Sequence, residues 1–152
     1  MDIRTIDPSE LEAARLLLVA NGWDRAVDDA ETFVRLVSRS QLAIVAVQDG
    51  QVIGFLRALT DGMTNGYVSM VVVDAAHRGR GVGRAMVQHV VGSDTHITWV
   101  LRAGREGVVP FYEKLGFVRS QVAMERPRVR PNASVESHTT SHLVPIKEPP
   151  AC

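Results

Sequence analysis

Three arginines and three glycines occupy six of seven consecutive positions near the middle of the chain. Residues 78–84 read Arg-Gly-Arg-Gly-Val-Gly-Arg; a run of valines ends four residues before them, and a helical pattern begins within them. Glycines let backbone N–H groups approach a ligand closely, and a helix N-terminus carries about half a positive charge. With the arginine charges added, this loop suits an anion with several negative charges, and a pyrophosphate fits best.

Two common nucleotide-binding motifs do not match this loop. A P-loop has Lys followed by Ser or Thr after its last glycine, whereas Arg84 and an alanine follow Gly83. A dinucleotide-binding loop has G-x-G-x-x-G and an acidic residue about 20 positions later. Gly79, Gly81 and Gly83 have a different spacing, and the next predicted strand contains Trp99 in place of an acid.

The loop resembles a signature of one acetyltransferase family. Arg78, Gly81 and Gly83 match Arg-x-x-Gly-x-Gly, the acyl-CoA signature of the GCN5-related N-acetyltransferases (GNAT). Residues 110–117, Pro-Phe-Tyr-Glu-Lys-Leu-Gly-Phe, look like the family's second signature, F-Y-x-x-L-G-F. The two segments stand in the family's order, and the resemblance covers roughly residues 41–125. It implies a GNAT-like fold with acetyl-CoA as cosubstrate. The alternative is a glycine-rich loop that only turns the chain.

The resemblance also implies how acetyl-CoA would be held. Backbone N–H groups of the loop would bind the pyrophosphate, and the strand Val71–Val73 would pair with the pantetheine arm as an extra strand does. A backbone N–H near Val71 or Val72 would polarise the thioester carbonyl and stabilise the oxyanion. No metal is expected. The expected cofactor-binding residues are Val71, Val72, Val73, Arg78, Gly79, Arg80, Gly81, Val82, Gly83, Arg84, Arg105 and Phe111.

Proton transfer is the second chemical requirement. Tyr112 matches the family's general acid, which protonates the leaving thiolate, and a purely structural tyrosine is the alternative. Its ordinary pKa of about 10 keeps the hydroxyl protonated at neutral pH. Many relatives carry a glutamate base on the strand before the loop, but residues 67–70 offer no carboxylate. Asp61 is a candidate base or substrate residue; a turn aspartate or proton transfer to water are the alternatives.

Two other residues bear on the acceptor. The family often has Asn where Arg105 stands and Ala where Val108 stands, so Arg105 is expected to reach either CoA or the acceptor. Trp23 lies between the first two predicted helices, where it would either line the acceptor site or anchor the packing. The expected function is acetyl transfer from acetyl-CoA to a primary amine of a small molecule, by direct attack in a ternary complex. The alternatives are a CoA-binding sensor without catalysis, or a same-fold acyltransferase that moves a longer acyl group or acts on a protein amine.

Apolar periodicity and turn residues predict the elements that position these residues. Asp7, Pro8 and Glu10 form a capping box at a helix start. Asp49-Gly50 predicts a tight hairpin turn. The predicted elements in chain order are an edge strand at 2–6, a helix from 8 to about 21, a helix starting after 28 or 29, strands 42–47, 52–59 and 67–73, a helix 82–91 closed by Gly92, a strand 97–102, a short helix that starts near 107 or 109 and ends before Gly116, and a last strand 117–124.

This order predicts an α/β fold with a mixed sheet. Three strands joined by short loops form an antiparallel meander, and the helix after the glycine loop crosses over to a parallel strand. Helices then cover both faces of the sheet. The order argues against a Rossmann fold, which needs repeated βαβ units.

Composition bounds the remaining questions. The chain has 152 residues, 45% of them hydrophobic, and 17 basic residues against 17 acidic ones. A zero net charge does not favour nucleic acid, and no apolar run is long enough to span a membrane. The single cysteine, Cys152, excludes an internal disulfide framework and fits a cytoplasmic setting.

The composition changes near the C-terminus. We predict an acetyltransferase domain at 1–126 and a Pro/Ser/Thr-rich tail at 127–152, which holds five of the seven prolines. His138 and His142 have a metal-ligand spacing, but no third ligand is near in the sequence, so metal binding is not expected. A homodimer is left open.

Overall fold

The computed structural model describes residues 1–23, 27–93 and 95–128. Its strands form one sheet in which each strand lies beside the next in the chain. The first four strands pair antiparallel, whereas the fourth and fifth are parallel. The predicted meander followed by a parallel crossover is therefore confirmed. The strands are β1 (Asp2–Thr5), β2 (Leu42–Gln48), β3 (Gln51–Thr60), β4 (Asn65–Val73) and β5 (Thr98–Leu101).

The described helices are α1 (Leu11–Val19), α2 (Ala30–Ser38), α3 (Val82–Val91) and α4 (Val109–Glu113). A 3₁₀ turn at Pro8–Glu10 leads into α1, and the predicted capping box is present. The Glu10 carboxylate accepts the Asp7 N–H at 2.8 Å, and the Asp7 carboxylate accepts the Ser9 N–H at 2.9 Å. These bonds satisfy N–H groups that have no partner inside the helix.

The apolar residues form two core clusters, one on each face of the sheet. The first lies under α1 and α2 and includes Leu18, Phe33 and Phe55. The rings of the two phenylalanines meet edge to face, with centroids 5.6 Å apart. The second lies under α3 and α4 and includes Leu56 and Met86. Because β3 contributes to both clusters, it is covered on both sides, as a central strand of such a sheet must be.

The turn between β2 and β3 has the geometry that its sequence predicts. Asp49 and Gly50 have φ angles of +51° and +76°. Two successive left-handed residues make the type I′ turn that matches the twist of a hairpin.

The predicted last strand at residues 117–124 is wrong, because none of these residues lies in a strand. The Phe117 ring packs against Tyr112, but the next side chain, Val118, is 86% exposed. Further along, the Ser120 hydroxyl accepts the N–H groups of Val122 and Ala123 at 3.2 and 2.8 Å. Such a local turn uses the N–H groups that a strand ladder would need.

The chain divides into two compact units, Met1–Val118 and Arg119–Cys152. All described helices and strands lie in the first unit. The predicted tail at 127–152, including His138 and His142, lies outside the described residues from position 129 onward, so the domain boundary stays a prediction. No described helix has the length and apolar character needed to cross a membrane.

Candidate active site

The parallel strands β4 and β5 part halfway along β4. Their pairing runs from Asn65 opposite Thr98 to Val68 opposite Leu101 and then stops. Residues 69–73 of β4 continue without a partner on the β5 side. The sheet therefore has a cleft between two adjacent strands, bordered by free backbone groups of β4.

A β-bulge at Met70 sits at the point where the strands part. Ser69 pairs with Arg57 and Val72 with Phe55, so two residues of β4 oppose one residue of β3. Met70 has a φ of +55°, a left-handed conformation that costs a non-glycine residue roughly 1–3 kcal/mol. An extra residue in a strand moves the following side chains to the opposite face.

The bulge changes which face each β4 side chain covers. In a regular strand, residues 68, 70 and 72 would share one face. Here Val68 belongs to the second core cluster, whereas Met70 and Val72 belong to the first. After the bulge, Val71 and Val73 pack on the second cluster.

Backbone contacts show which residues of this segment face the cleft. The Asp74 N–H donates to the Ile53 carbonyl of β3 at 2.8 Å, whereas the Val73 carbonyl accepts from Nε of Arg78 at 3.1 Å. Backbone groups alternate in direction along a strand. Val72 therefore faces β3, while Val71 and Val73 face the cleft. Of the two valines predicted to polarise the thioester, Val71 has the suitable backbone direction and Val72 does not.

The glycine loop follows a single 3₁₀ turn at Ala75–His77 and leads into α3. Gly79 and Gly81 have φ angles of +72° and +83°, which only glycine adopts at little cost. Gly81 is the N-cap of α3, and no side chain caps this end. The N–H groups of the first helical turn are therefore available to an anion.

A cavity of about 590 Å³ lies between this loop, β4 and α4. Most of the predicted cofactor-binding residues line it, but Val72, Arg80 and Arg105 do not. Neither Trp23 nor Asp61 lines it. The lining residues are Val71, Val73, His77, Arg78, Gly79, Gly81, Val82, Gly83, Arg84, Val108, Phe111 and Tyr112.

Two lining residues, His77 and Val108, were not predicted as binding residues. Nδ1 of His77 lies 2.7 Å from Oδ2 of Asp74. The hydrogen bond with His77 is the main cause that lowers the pKa of Asp74. The sequence signal for this contact is an acid and a histidine three positions apart, just before the glycine loop.

Arg78 has a structural role as well as a place in the cavity wall. Besides its bond to the Val73 carbonyl, its guanidinium donates to the side-chain oxygen of Asn21, at the end of α1. The arginine therefore ties the open end of β4 to α1. This contact fixes the position of the loop that follows.

Tyr112 lies between two aromatic rings. Its ring meets Phe111 and Phe117 edge to face, with centroids 4.9 and 5.8 Å apart. Burial raises the pKa of the Tyr112 hydroxyl, and the nearby charge of Arg105 opposes that shift. The phenol is thus protonated at neutral pH, and Tyr112 forms part of the cavity wall.

Asp61 is engaged in the turn between β3 and β4. Its carboxylate accepts the N–H groups of Met63, Thr64 and Asn65 at 2.8, 2.8 and 3.0 Å, and the Thr64 hydroxyl at 2.6 Å. These bonds hold the pKa of Asp61 far below its usual range. Val71 lies six positions beyond Asn65 along β4, roughly 20 Å of strand. Both findings favour the turn role of Asp61 over that of a base.

Trp23 and Arg105 contact each other. The Arg105 guanidinium carbon lies 4.8 Å from the centroid of the Trp23 ring, a cation–π contact. Trp23 also packs on the first core cluster, so this pair lies on the α1/α2 face of the sheet. Arg105 therefore contacts the α1/α2 face through Trp23, and its charge also acts on Tyr112 in the cavity wall.

No group of three or more His, Cys, Asp or Glu side chains among the described residues is arranged to hold a metal ion.

The comparison with known families decides the class of this chain. A model of the acetyltransferase (GNAT) domain matches residues 39–119, which is more than half of the chain. The chain belongs to the GNAT acetyltransferase family. The match spans β2 to α4 and so includes the bulge, the glycine loop and Tyr112. No functionally curated protein matches the sequence.

Solved structures of other GNAT proteins share the fold. A candidate acetyltransferase from Deinococcus radiodurans is 28% identical, with a TM-score of 0.63, over 82% of this chain and 87% of that one. A candidate GNAT acetyltransferase from Xanthomonas campestris is 25% identical, with a TM-score of 0.68, over 84% and 92%. An aminoglycoside 6′-N-acetyltransferase solved with coenzyme A is 22% identical, with a TM-score of 0.53, over 59% and 53%.

Proposed function

We propose that this GNAT protein transfers an acetyl group from acetyl-CoA to a primary amine of a small molecule, by direct attack in a ternary complex. One observation carries the proposal. After the bulge at Met70, the free backbone of β4 borders the same cavity as an uncapped helix N-terminus and a protonated tyrosine. Acyl transfer needs these three devices: an anchor for the CoA phosphates, an oxyanion donor and an acid for the leaving thiolate.

The donor set of the loop fits coenzyme A. The left-handed glycines and the uncapped first turn of α3 offer several N–H groups to a pyrophosphate, and Arg78 and Arg84 line the same cavity. Val71 and Val73 offer backbone groups that a pantetheine arm can bond as an added strand. The aminoglycoside acetyltransferase of the same fold was solved with coenzyme A, the ligand proposed here.

In the proposed reaction, the amine attacks the thioester carbonyl and the thiol leaves. The Val71 N–H donates to the carbonyl oxygen as negative charge develops on it, which stabilises the transition state. Tyr112 donates its proton to the departing sulfur, and its raised pKa keeps that proton available at neutral pH. No carboxylate lines the cavity within the described part of the chain. The amine therefore releases its proton to water, and water returns a proton to Tyr112.

Thiol release with a panel of amines tests the proposal. The full-length chain is mixed with acetyl-CoA and each amine, and free CoA and the acetylated product are measured. We expect product from at least one small primary amine, and no product from the panel if the domain only senses CoA. Activity on peptides alone would instead favour the protein-modifying alternative. We also propose that acetyl-CoA is the donor, that the reaction requires no metal, and that the protein acts in the cytoplasm.

A further inference from the structure

Arg57 is a half-buried cation without a carboxylate partner in the described part of the chain. It lies in the middle of β3, on the face covered by α1 and α2. Its Nε donates to the Ser40 hydroxyl at 2.7 Å, and that hydroxyl donates to the Leu36 carbonyl at 2.8 Å. The ion pairs among the described residues do not involve Arg57. Its two terminal nitrogens thus have no carboxylate partner among the described residues.

This arrangement is costly unless another group compensates for it. Burial lowers the pKa of Arg57, and only the neighbouring Tyr67 acts in the opposite direction. An arginine nevertheless keeps its charge in a protein. Half-buried charges are usually paired, because removing a charge from water costs free energy that a counter-ion recovers.

Arg57 stands next to the point where the two parallel strands part. It pairs across the sheet with Ser69, the first residue of β4 beyond the last pair of β4 and β5. Neighbouring strands are about 4.8 Å apart, so the base of the Arg57 side chain is one strand from the cleft. Ser69 also directly precedes the bulge that turns Val71 toward the cavity.

A second cation lies on the same face of the sheet. Arg105 stacks on Trp23, which packs on the first core cluster together with Phe55 of β3. Like Arg57, Arg105 takes part in no ion pair within the described part of the chain. Two guanidinium groups therefore lie on the α1/α2 face of the sheet. The opposite face carries the glycine loop and the cavity.

We propose that the acceptor is an amine that also carries a carboxylate, of the amino-acid class, and that Arg57 binds this carboxylate with Arg105 at the rim. This inference rests on the proposed acetyltransferase function. Arginine matches a carboxylate with two parallel N–H···O bonds, which fixes the orientation of the substrate. With the carboxylate held on this face, the amine is directed to the cleft, where the Val71 backbone and Tyr112 meet the thioester from the other side.

Arg57 is a specificity residue in this scheme, and a structural role predicts a different result. If Arg57 only stabilised the fold, Arg57→Met would lower the melting temperature. If it waits for a carboxylate, removing an unpaired half-buried charge leaves the melting temperature unchanged or raises it. Arg57→Lys keeps the charge but loses the paired N–H groups. Arg35→Met, on the exposed side of α2, is the matched control.

Matched acceptors test the proposal. L-amino acids, their C-terminal amides and the corresponding decarboxylated amines are compared in thiol-release kinetics with the full chain and acetyl-CoA. We expect the carboxylates to be preferred by about 10- to 100-fold in kcat/KM. Arg57→Met should remove that preference through the acceptor KM. The Kd of acetyl-CoA should be unchanged, and Arg57→Lys should recover part of the preference.

The outcomes separate this inference from the proposed function. Equal kcat/KM for amino acids and their amides overturns the inference and leaves the acetyltransferase in place. If no amine releases thiol, the proposed function fails, and binding then decides the inference by itself. In that case N-acetyl-L-amino acids, but not N-acetyl amino-acid amides, should raise the melting temperature of the CoA-saturated protein, and Arg57→Met should abolish the difference. Equal shifts for the two probes overturn the inference.

Discussion

Among single residues, Tyr112 matters most to the proposed acetyl-transfer reaction. Replacing it with Phe removes one hydroxyl and retains the ring, so the edge-to-face contacts with Phe111 and Phe117 should survive. If the hydroxyl protonates the leaving thiolate, the single-turnover rate of Tyr112→Phe falls by roughly 10²–10⁴. The Kd of acetyl-CoA should change little. Weaker acetyl-CoA binding with a normal single-turnover rate would make Tyr112 a wall of the cavity only.

A second residue-scale prediction concerns Gly83, where the loop becomes helix. A Cβ at this position would lie 3.4 Å from the Phe111 ring and 3.5 Å from the Val73 side chain, so a side chain must project along the cavity wall. Gly83→Asp places a carboxylate at the expected phosphate position and should abolish the rise in melting temperature that acetyl-CoA causes. Gln88→Asp, an exposed position of the same helix, should retain that rise. A normal rise in Gly83→Asp would contradict the loop assignment.

Residue types revealed some of the site and not the rest. The glycine spacing and the Phe111-Tyr112 pair are local in sequence, and both proved to line one cavity. Arg57 could not be singled out, because its lack of an acidic partner depends on which side chains the sheet brings beside it. Arg105 was recognised as unusual, but only its contact with Trp23 shows which face it serves.

At the element scale, the turn between β3 and β4 gives a test of acid stability. Hydrogen bonds within this turn lower the pKa of Asp61 below its ordinary value of 3.8. A depressed folded-state pKa contributes stability that is complete above the unfolded value and is lost as pH falls below it. Asp61→Asn should therefore lower the urea midpoint at pH 7 and reduce its dependence on pH below about 4.

The control for that experiment is Glu31→Gln, which removes an exposed charge from the first turn of α2. It should leave the acid dependence close to that of the unaltered chain. An Asp61→Asn variant with unchanged pH dependence would show that the turn bonds do not persist in solution.

The bulge marks the limit of element prediction from sequence. The alternation of β4 predicts one continuous strand, and Met70 has no preference for a positive φ. The left-handed turn there arises from the pairing of β3 with β4, which no local pattern records. The predicted strand at residues 117–124 is absent for a related reason. Its residues favour a strand, but the Ser120 hydroxyl binds a local N–H group that strand pairing would need.

For the whole molecule, we expect the folded domain to tolerate removal of the C-terminal tail. Residues 128–152 are rich in proline, serine and threonine, and such composition does not build a core of its own. Removing them should shift the melting temperature by no more than about a degree and leave acetyl-CoA binding intact. A loss of several degrees, or aggregation of the shortened chain, would show that the tail stabilises the domain.

The most direct test of the central claim is a single-turnover measurement of acetyl transfer. Full-length protein saturated with acetyl-CoA is mixed with a small primary amine, and the acetylated amine and free thiol are followed together. We expect the acetylated amine and the free thiol to form at equal rates and in equal amounts. Tyr112→Phe should slow the formation of both products alike. Thiol release without acetylated amine, or tight acetyl-CoA binding with no transfer to any amine, would contradict it.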